Sequence, residues 1–182
     1  MRIIAGRWRG RALLAPPGAA TRPTADRVRQ ALFDMLWHAP WGGRAAIEGS
    51  MVLDAFAGTG ALGLEALSRG AAHCTFMERD RAALLVLRAN IAACGAEAVS
   101  TVLPTDATRV NVGAACGLVF LDPPYGKELV AGTVTALRAG GWLAEGTLIV
   151  SEQARDEAVV PCGTLLAERV HGAARVAVWV LA

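Results

Sequence analysis

The sequence contains few aromatic residues, a single lysine and no long hydrophobic run. Phe, Trp and Tyr make up 5% of the 182 residues, whereas apolar residues make up 54%. No apolar stretch approaches the ~18–20 residues that a membrane-spanning helix needs, so we predict no contact with a membrane. The N-terminus lacks the apolar core of a secretion signal. We therefore expect a cytoplasmic protein whose core is large enough for one domain.

Cysteine is also scarce, and its spacing argues against the usual zinc sites. The four cysteines are Cys74, Cys94, Cys116 and Cys162. None forms a C-x-x-C pair, and no group of Cys and His residues has zinc-ligand spacing. We therefore predict four free, buried thiols and no metal site.

Positive charge is concentrated at the N-terminus. Residues 1–30 carry a net charge of +6 and the other residues carry −4, which gives the total of +2. The basic residues of this segment are all arginines, whose planar guanidinium can bind two phosphate oxygens at once. This distribution favours contact with a polyanion, although a solvated surface arm or a general preference for arginine would give the same pattern. The candidate residues for contact with RNA or DNA are Arg7, Arg9, Arg11, Arg22 and Arg27.

Short apolar runs alternate with helical patterns along most of the chain. We predict a hairpin over residues 1–14, which turns near Gly6–Gly10, and a helix from about Thr24. The alternation that follows is typical of an α/β fold with right-handed crossovers and a parallel sheet, to which the last two strands would add an antiparallel edge. The predicted strands are Met51–Phe56, His73–Glu78, Val99–Leu103, Leu118–Leu121, Gly146–Ser151, Leu165–Val170 and Arg175–Leu181, and the helices among them are Ala61–Ser68, Asp80–Ala93 and Glu128–Arg138.

The domain organisation expected from this pattern is simple. We predict one domain over residues 1–182, in which residues 1–20 form a basic hairpin and loop extension and residues 21–182 form the core. In a parallel sheet of this kind, ligands bind at the carboxyl ends of the strands. The residues that follow each predicted strand are therefore the candidates for a functional site.

The first strand of the predicted sheet runs into a glycine-rich loop. Gly58, Gly60 and Gly63 satisfy the pattern G-x-G-x-x-G, and Glu78 ends the second strand 20 residues after Gly58. Glycine lets the backbone turn sharply and approach a ligand closely, and an acidic group at this distance can accept both hydroxyls of an adenosine ribose. The loop by itself is compatible with NAD and with S-adenosylmethionine.

Two further carboxylates distinguish between NAD and S-adenosylmethionine as the ligand. Asp54 ends the first strand, where it would repel the pyrophosphate of a dinucleotide but would favour the ammonium and sulfonium of S-adenosylmethionine. Asp106 follows the third strand and can accept a hydrogen bond from the adenine amino group. Three carboxylates at three strand ends favour S-adenosylmethionine over NAD. A helix-capping role for Asp54 and simple surface exposure of Asp106 are the structural alternatives.

The most specific motif is Asp122-Pro123-Pro124-Tyr125, which follows the fourth strand. A strand cannot continue through two prolines, so the chain leaves the sheet here. The groups of this motif suit a reaction at the exocyclic amine of a nucleic-acid base. Such an amine is a poor nucleophile because its lone pair is conjugated into the ring. The Asp122 carboxylate and the Pro123 carbonyl can each accept one N–H and free that lone pair, while Tyr125 stacks on the base. An ordinary proline-rich turn is the alternative interpretation.

With these motifs, the chain resembles the RsmD family, bacterial methyltransferases that act on guanine N2 of 16S ribosomal RNA. The resemblance covers nearly the whole length. The block that narrows the choice is Thr21-Arg22-Pro23-Thr24-Ala25-Asp26-Arg27-Val28, which precedes the two motifs shared widely among methyltransferases. The other matching segments are Arg2 to Gly6, Arg9 to Arg11, Ala31 to Phe33, Leu53 to Gly60, Leu67 to Ala71 and Phe120 to Tyr125.

The resemblance implies a Rossmann-like class I methyltransferase fold with a seven-stranded, mostly parallel sheet. It implies that S-adenosylmethionine is bound and that S-adenosylhomocysteine is the product. The predicted catalytic residues are Asp122, Pro123, Pro124 and Tyr125. The predicted cofactor-binding residues are Asp54, Phe56, Ala57, Gly58, Gly60, Glu78, Arg79, Asp106 and Ala107, with Thr24 and Arg22 closing over the methionine end.

The resemblance also implies the partner, 16S rRNA, either free or within a partly assembled small ribosomal subunit, and we expect a monomer. A target in paired RNA would have to be flipped out of the helix. One segment departs from the family pattern: His171-Gly172-Ala173-Ala174 replaces a Tyr-Gly followed by a polar pair. We expect a surface or loop role for His171. The alternative functions are an adenine-N6 methyltransferase of DNA or RNA, a non-catalytic RNA-binding module and an NAD-linked oxidoreductase.

Overall fold

The computed structural model of the protein describes residues 1–15 and 23–182, with side chains described from residue 26 onward in the second range. Arg22 and the side chain of Thr24 lie outside this description, so their predicted contacts remain predictions. All four cysteines are buried free thiols. In the described part of the chain, no helix is long and apolar enough to cross a membrane. Within the same ranges, no cluster of three or more His, Cys, Asp or Glu residues could hold a metal ion.

Helices and strands alternate along the described chain, as the apolar pattern predicted. The helices are α1 Pro23–His38, α2 Ala61–Ser68, α3 Arg81–Cys94 and α4 Leu129–Ala139. The strands are β1 Met51–Asp54, β2 His73–Met77, β3 Ser100–Leu103, β4 Leu118–Leu121, β5 Leu148–Ala154, β6 Thr164–His171 and β7 Ala174–Val180.

The seven strands form one sheet in the order β3-β2-β1-β4-β5-β7-β6. Strands β1 to β5 are parallel to their neighbours, whereas β7 lies antiparallel between β5 and β6. The predicted fold, a mostly parallel sheet with an antiparallel C-terminal edge, is confirmed. Because β1 to β5 run in the same direction, the residues that follow them gather at a single edge of the sheet.

Strand β5 differs from the prediction, which placed it at Gly146–Ser151. It begins at Leu148 and continues to Ala154, because β7 pairs with it along its whole length, up to the pair Ala154↔Ala174. The apolar run from which the strand was predicted ends near Val150, so the sequence pattern missed the polar continuation. As a result, Glu152 belongs to the sheet rather than to a loop.

The N-terminal hairpin over residues 1–14 has less regular structure than the prediction implied. It contains one antiparallel bridge, Arg2↔Ala12, rather than two strands. Backbone hydrogen bonds from Ile3 N–H to the Arg11 carbonyl at 2.9 Å and from Leu13 N–H to the Met1 carbonyl at 3.0 Å hold the two arms together. The side chains of Ile3 and Leu13 are buried in the core. The hairpin is therefore fixed to the domain rather than extended into solvent.

The sheet separates two apolar cores, because alternate residues of each strand point to opposite faces. On one face, Val52 and Phe120 pack with residues of α1, α2, α3 and the hairpin. On the other face, Leu53 and Leu121 pack with α4 and Trp142. The parallel strands are thus covered on both sides, which is typical of a doubly wound α/β fold.

The buried carboxylate of Glu65, on α2, joins the hairpin to this core. Its oxygens accept hydrogen bonds from Ile4 N–H at 2.7 Å and Ala5 N–H at 3.0 Å. Arg69 Nε donates to the same carboxylate at 2.8 Å, and Arg29 Nε lies 3.9 Å from it. Both arginine side chains are buried: 6% of the Arg69 side chain and 5% of the Arg29 side chain are exposed. Glu65 therefore satisfies two backbone donors and balances two buried positive charges.

We predict that Glu65→Gln strongly destabilises the protein. The substitution removes the buried negative charge shared by two guanidinium groups and leaves Arg29 with Asp26 at 2.9 Å and Arg69 with Asp34 at 3.9 Å. Removing one partner of a buried ion pair typically costs about 3–5 kcal/mol. Urea denaturation followed by circular dichroism should show that loss in the free energy of unfolding.

The matched control is Glu48→Gln, which breaks a salt bridge of the same i, i+4 spacing. Arg44 and Glu48 are 2.6 Å apart, with 64% and 41% of their side chains exposed. Loss of this exposed surface pair should destabilise the protein far less than Glu65→Gln does. Similar losses for the two substitutions would show that Glu65 does not stabilise the fold in the way described here.

Candidate active site

The glycine-rich loop connects β1 to α2 at the carboxyl edge of the sheet. Gly60 adopts a left-handed backbone conformation with φ +81° and caps the N-terminus of α2. A Cβ atom on Gly63 would lie 2.3 Å from the Phe76 ring, so only glycine lets α2 pack this closely against β2. Ala57 N–H donates to the carbonyl of Met77 at 2.9 Å, which fixes the loop against the end of β2.

Asp54 is buried at the start of this loop. Its Oδ2 accepts a hydrogen bond from Gly63 N–H at 3.0 Å, so the helix-capping contact considered as an alternative is present. Burial raises the pKa of Asp54 to about 7, with a smaller contribution from nearby Glu78, and the backbone N–H groups of Gly63 and Phe56 offset part of that rise. A buried carboxylate that is costly to ionise would be stabilised by a bound cation. The capping contact occupies one oxygen and is compatible with that role.

Glu78 follows β2 and is held by three backbone donors. Its Oε2 accepts from Gly58 N–H at 2.8 Å, across the loop. Its Oε1 accepts from Arg79 N–H at 2.8 Å and from Asp80 N–H at 2.7 Å. Because each carboxylate has about four acceptor positions, a ligand donor can still bind. Glu78 therefore both orders the glycine loop and presents an acceptor beside it.

Asp106 follows β3 and forms an ion pair with Arg79. Arg79 Nη1 lies 2.7 Å from Asp106 Oδ2. The other oxygen accepts from the Thr108 backbone N–H at 2.9 Å and the Thr108 hydroxyl at 2.7 Å. These Thr108 contacts, followed by Arg79, lower the pKa of Asp106 to about 2. Asp106 is ionised at neutral pH, and its side chain is 29% exposed, so it is neither free nor fully solvated.

Two cavities open at this edge of the sheet, and Phe56, Gly58 and Asp122 line both. The smaller, of about 330 Å³, is also lined by the ends of β2 and β3, which contribute Glu78 and Asp106. The larger, of about 580 Å³, lies above β1, β4 and β5. From the set predicted to bind the cofactor, Arg79 and Ala107 line the smaller cavity, and Asp54 and Ala57 line the larger. Gly60 lies outside both linings as the N-cap of α2.

The Asp122-Pro123-Pro124-Tyr125 motif turns toward these cavities from the end of β4. Asp122 and Tyr125 line the larger cavity and Pro124 lines the smaller, whereas the side chain of Pro123 is buried. Burial raises the pKa of Asp122 well above its usual range, with further contributions from the negative charges of Glu152 and Asp54. The carboxylate acceptor and the aromatic ring of the motif thus face the same space as the glycine loop.

Sequence reasoning missed several residues that line the larger cavity, among them three with ionisable side chains. Glu152 accepts a hydrogen bond from the Tyr125 hydroxyl at 2.5 Å. His171, for which we expected a surface or loop role, lies in the lining together with Gly172 and Ala173. Arg29 lines the cavity and also donates to the Arg2 carbonyl at 2.6 Å. The rule that sites lie at the carboxyl ends of strands would have identified Glu152, had the length of β5 been predicted correctly.

The predicted RNA-binding arginines lie away from the cavities. Arg7, Arg9 and Arg11 are exposed on the hairpin, and Arg27 is exposed on α1. The guanidinium of Arg7 stacks 4.0 Å from the centre of the Trp8 ring, and that of Arg11 donates to the Ala93 carbonyl. In the part of the chain that the structure describes, none of these four arginines lines either cavity. They form a separate surface rather than part of the pocket.

Comparison with known proteins agrees with the fold and identifies the family. The family model described as "Conserved hypothetical protein 95" matches residues 1–180. The chain is 43% identical to the Ribosomal RNA small subunit methyltransferase D of Escherichia coli over 153 residues, which are 84% of this chain and 74% of that protein. It is 35% identical to the protein of the same name from Haemophilus influenzae over 185 residues, covering 94% of this chain and 89% of the other.

A solved structure of the Escherichia coli protein yhhF superposes with a TM-score of 0.82 at 39% sequence identity, over 98% of this chain and 96% of that one. At this coverage the superposition includes the seven-stranded sheet and its antiparallel edge. Together with the family match over residues 1–180, this likeness extends from the N-terminal hairpin to the last strand. The chain therefore belongs to the RsmD family, whose model is "Conserved hypothetical protein 95".

Proposed function

We propose that this protein transfers a methyl group from S-adenosylmethionine to the exocyclic N2 amine of a guanine in 16S ribosomal RNA. The main support for this proposal is one observation. The amine-binding motif and the glycine loop share a cavity, because Asp122, Tyr125, Asp54 and Gly58 all line the same space of about 580 Å³. An amine acceptor and a cation-binding carboxylate in one cavity suit the attack of a neutral amine on a sulfonium methyl group.

The residues of the two cavities suit S-adenosylmethionine. Glu78 would accept hydrogen bonds from the ribose hydroxyls, and Asp106 would accept one from the adenine amino group. Asp54 would stabilise the positive charge of the methionine portion, and that charge would offset the cost of ionising a buried carboxylate. When bound, S-adenosylmethionine supplies an electrophilic methyl group, and S-adenosylhomocysteine remains. Phe56 and Gly58, which line both cavities, would lie along the ligand where it passes from one to the other.

Catalysis by this chain would consist mainly of positioning and electrostatics. The Asp122 carboxylate and the Pro123 carbonyl would each accept one N–H of the target amine, which holds the nitrogen and makes its lone pair available. The ring of Tyr125 would stack on the base, an interaction typically worth ~1–3 kcal/mol. The methylated amine then loses one proton, and the Asp122 carboxylate is placed to accept it, since its raised pKa makes it a stronger base.

The RNA substrate is proposed from the relatives and from the charge of the hairpin. The relatives from Escherichia coli and Haemophilus influenzae are named for methylation of the small-subunit ribosomal RNA. The exposed arginines Arg7, Arg9 and Arg11 would bind phosphates on a surface separate from the cavities, and Arg27 on α1 would add a further contact. A partly assembled small ribosomal subunit would present the target base to a monomer of this enzyme.

The nucleosides formed in a methylation assay test this function. The purified protein is incubated with tritiated S-adenosylmethionine and 16S rRNA from a strain that lacks the enzyme, either free or in small subunits. We expect N2-methylguanosine as the labelled nucleoside. Label found solely in N6-methyladenosine would refute the guanine assignment. RNA binding without any methyl transfer would instead favour a non-catalytic RNA-binding module.

We predict that Asp122→Ala abolishes most methyl transfer but leaves cofactor binding largely intact. The substitution removes the acceptor of the amine proton, whereas the residues at the ends of β2 and β3 are unchanged. Loss of one such electrostatic contact typically lowers kcat by about 10²–10³-fold. Isothermal titration calorimetry with S-adenosylhomocysteine should give a dissociation constant within a few-fold of the wild-type value. Equal losses of turnover and of cofactor affinity would show that Asp122 has a different role.

We predict that affinity for the cofactor falls as the pH drops below about 7. The pKa of Asp54 is raised to about 7, so acidification protonates this carboxylate and removes the charge that stabilises the ligand's ammonium group. The dissociation constant for S-adenosylhomocysteine should rise by up to about tenfold per pH unit below 7 and should be nearly constant above pH 8. Calorimetry between pH 5.5 and 8.5 measures this dependence.

Two variants test whether Asp54 causes this pH dependence of cofactor affinity. Asp54→Asn keeps an oxygen for the Gly63 contact but cannot ionise, so its affinity should be low and independent of pH. Asp106→Asn should lower affinity for S-adenosylhomocysteine but retain the pH dependence of that affinity below pH 7. The pKa of Asp106 is about 2, so this group does not titrate between pH 5.5 and 8.5. An unchanged slope in Asp54→Asn would mean that another group titrates.

We predict that neutralising the hairpin arginines weakens RNA binding and reduces its salt dependence. Each lost phosphate contact reduces the magnitude of the slope of log K against log salt by about 0.7–0.9. The triple substitution of Arg7, Arg9 and Arg11 by Gln should therefore reduce the magnitude of this slope by about 2. Filter binding at several salt concentrations measures the slope. The control is Arg138→Gln, an exposed arginine at the end of α4 on the opposite face of the sheet. If the triple variant retains the wild-type slope, the hairpin is not the RNA-binding surface.

A further inference from the structure

Glu152 and Asp122 occupy matching positions on neighbouring strands. In the parallel pair of β4 and β5, Leu121 lies opposite Ser151, and the next residue on each strand is a carboxylate. Both Asp122 and Glu152 line the larger cavity, and the negative charge of Glu152 contributes to the raised pKa of Asp122. The cavity therefore presents two carboxylates side by side, just past the last residues that pair β4 with β5.

One oxygen of Glu152 is engaged by the protein. The Tyr125 hydroxyl donates to Oε1 at 2.5 Å, and the hydrogen bonds of this carboxylate within the described residues involve Oε1 alone. Arg29 is the one arginine that lines the cavity in the described ranges, and its guanidinium already donates to Asp26 at 2.9 Å and to the Arg2 carbonyl. Oε2 of Glu152 is thus left as an acceptor on the wall that also holds Asp122 and Tyr125.

The edges of the bases differ in how they match two adjacent acceptors. On guanine, the N2 amine lies beside N1–H, so this edge offers donors at two neighbouring positions. On adenine and cytosine, the exocyclic amine lies beside a ring nitrogen with a lone pair, which would repel a second carboxylate. An ionised carboxylate can only accept hydrogen bonds, so two adjacent carboxylates match the donor pair of guanine and oppose the edges of the other two bases.

We propose that Glu152 determines specificity for guanine, by accepting the N1–H of the base through Oε2 while Asp122 and the Pro123 carbonyl hold the N2 amine. This inference rests on the proposed function and adds the residue that selects the base. Sites built to bind a particular donor reject analogues that lack it by large factors, because a buried polar group is left unpaired. Through Oε1, the same carboxylate also positions the ring of Tyr125.

The test compares guanine with 2-aminopurine, which carries the same 2-amino group but has a lone pair at N1. Once the labelled N2-methylguanosine has been mapped, 16S rRNA is ligated with either base at that position and assembled into small subunits. We expect the wild-type kcat/KM to favour guanine by about 100-fold or more. In Glu152→Gln, whose amide can donate to N1, kcat/KM for guanine should fall by at least about tenfold and the preference should shrink by at least about tenfold.

Three further variants separate base selection from folding and from the Tyr125 contact. Tyr125→Phe removes the hydroxyl bound to Oε1, so it should lower both rates alike and retain the preference. Glu152→Asp keeps the carboxylate and should retain the preference at a reduced rate. Glu145→Gln, in an exposed turn before β5, should match the wild type. Affinity for S-adenosylhomocysteine within about twofold of wild type shows that each variant is folded; if Glu152→Gln fails this check, the Glu152→Asp and Tyr125→Phe preferences decide.

The possible failures are distinguishable. If the wild type forms no N2-methylguanosine, the proposed function is wrong. If the wild type forms it but folded Glu152→Gln retains the full preference for guanine, the proposal for Glu152 is wrong and the proposed function stands. Loss of the preference in Tyr125→Phe or in Glu152→Asp would likewise overturn the proposal, because the carboxylate acceptor is present in both. The lack of O6 in 2-aminopurine affects every variant alike, so it cancels when their preferences are compared.

Discussion

The buried carboxylate of Glu65 connects the parts of this protein that have to act together. It lies on α2, whose first turn follows the glycine loop, and it binds the main chain of the hairpin at Ile4 and Ala5. The hairpin therefore has a fixed position relative to the loop, although the two are about 60 residues apart in sequence. Because the arginines of the hairpin are carried on this anchored backbone, a phosphate bound there would be held at a defined distance from the cavity. One buried charge thus links the candidate RNA surface to the candidate cofactor site.

The second constraint is the concentration of negative charge at one edge of the sheet. Each of the five parallel strands contributes a carboxylate at or near its carboxyl end. The environments of these carboxylates differ. Glu78 and Asp106 are stabilised by backbone N–H groups or by Arg79, whereas Asp54 and Asp122 have raised pKa values. Asp106, whose pKa is lowered, remains charged at little cost. Asp54 and Asp122 are costly to ionise because they are buried, and a cation or a hydrogen-bond donor bound beside them would favour their ionised forms.

The sequence was sufficient to predict the fold because the strands are short, buried apolar runs between clear helical patterns. The Asp-Pro-Pro-Tyr motif could be placed at a strand end since two prolines cannot continue a strand. Other features depend on distant parts of the chain. Glu152 was missed because pairing with β7, rather than apolar character, extends β5 past Val150. The role of Glu65 could not be inferred either, because its backbone partners lie about 60 residues earlier. The predicted contacts of Arg22 remain predictions.

Tyr125 shows why these distant contacts matter for the site. As a stacking platform, an aromatic ring works best when its plane is fixed before the base arrives, because ordering a side chain on binding costs free energy. Tyr125 is 45% exposed, so packing covers only part of its side chain. Its hydroxyl bond to Glu152 adds support from the neighbouring strand. A tyrosine can be anchored in this way and a phenylalanine cannot, so in the proposed reaction the hydroxyl of the motif would act on the base indirectly, by holding the ring between the Glu152 carboxylate and the space that the base would occupy.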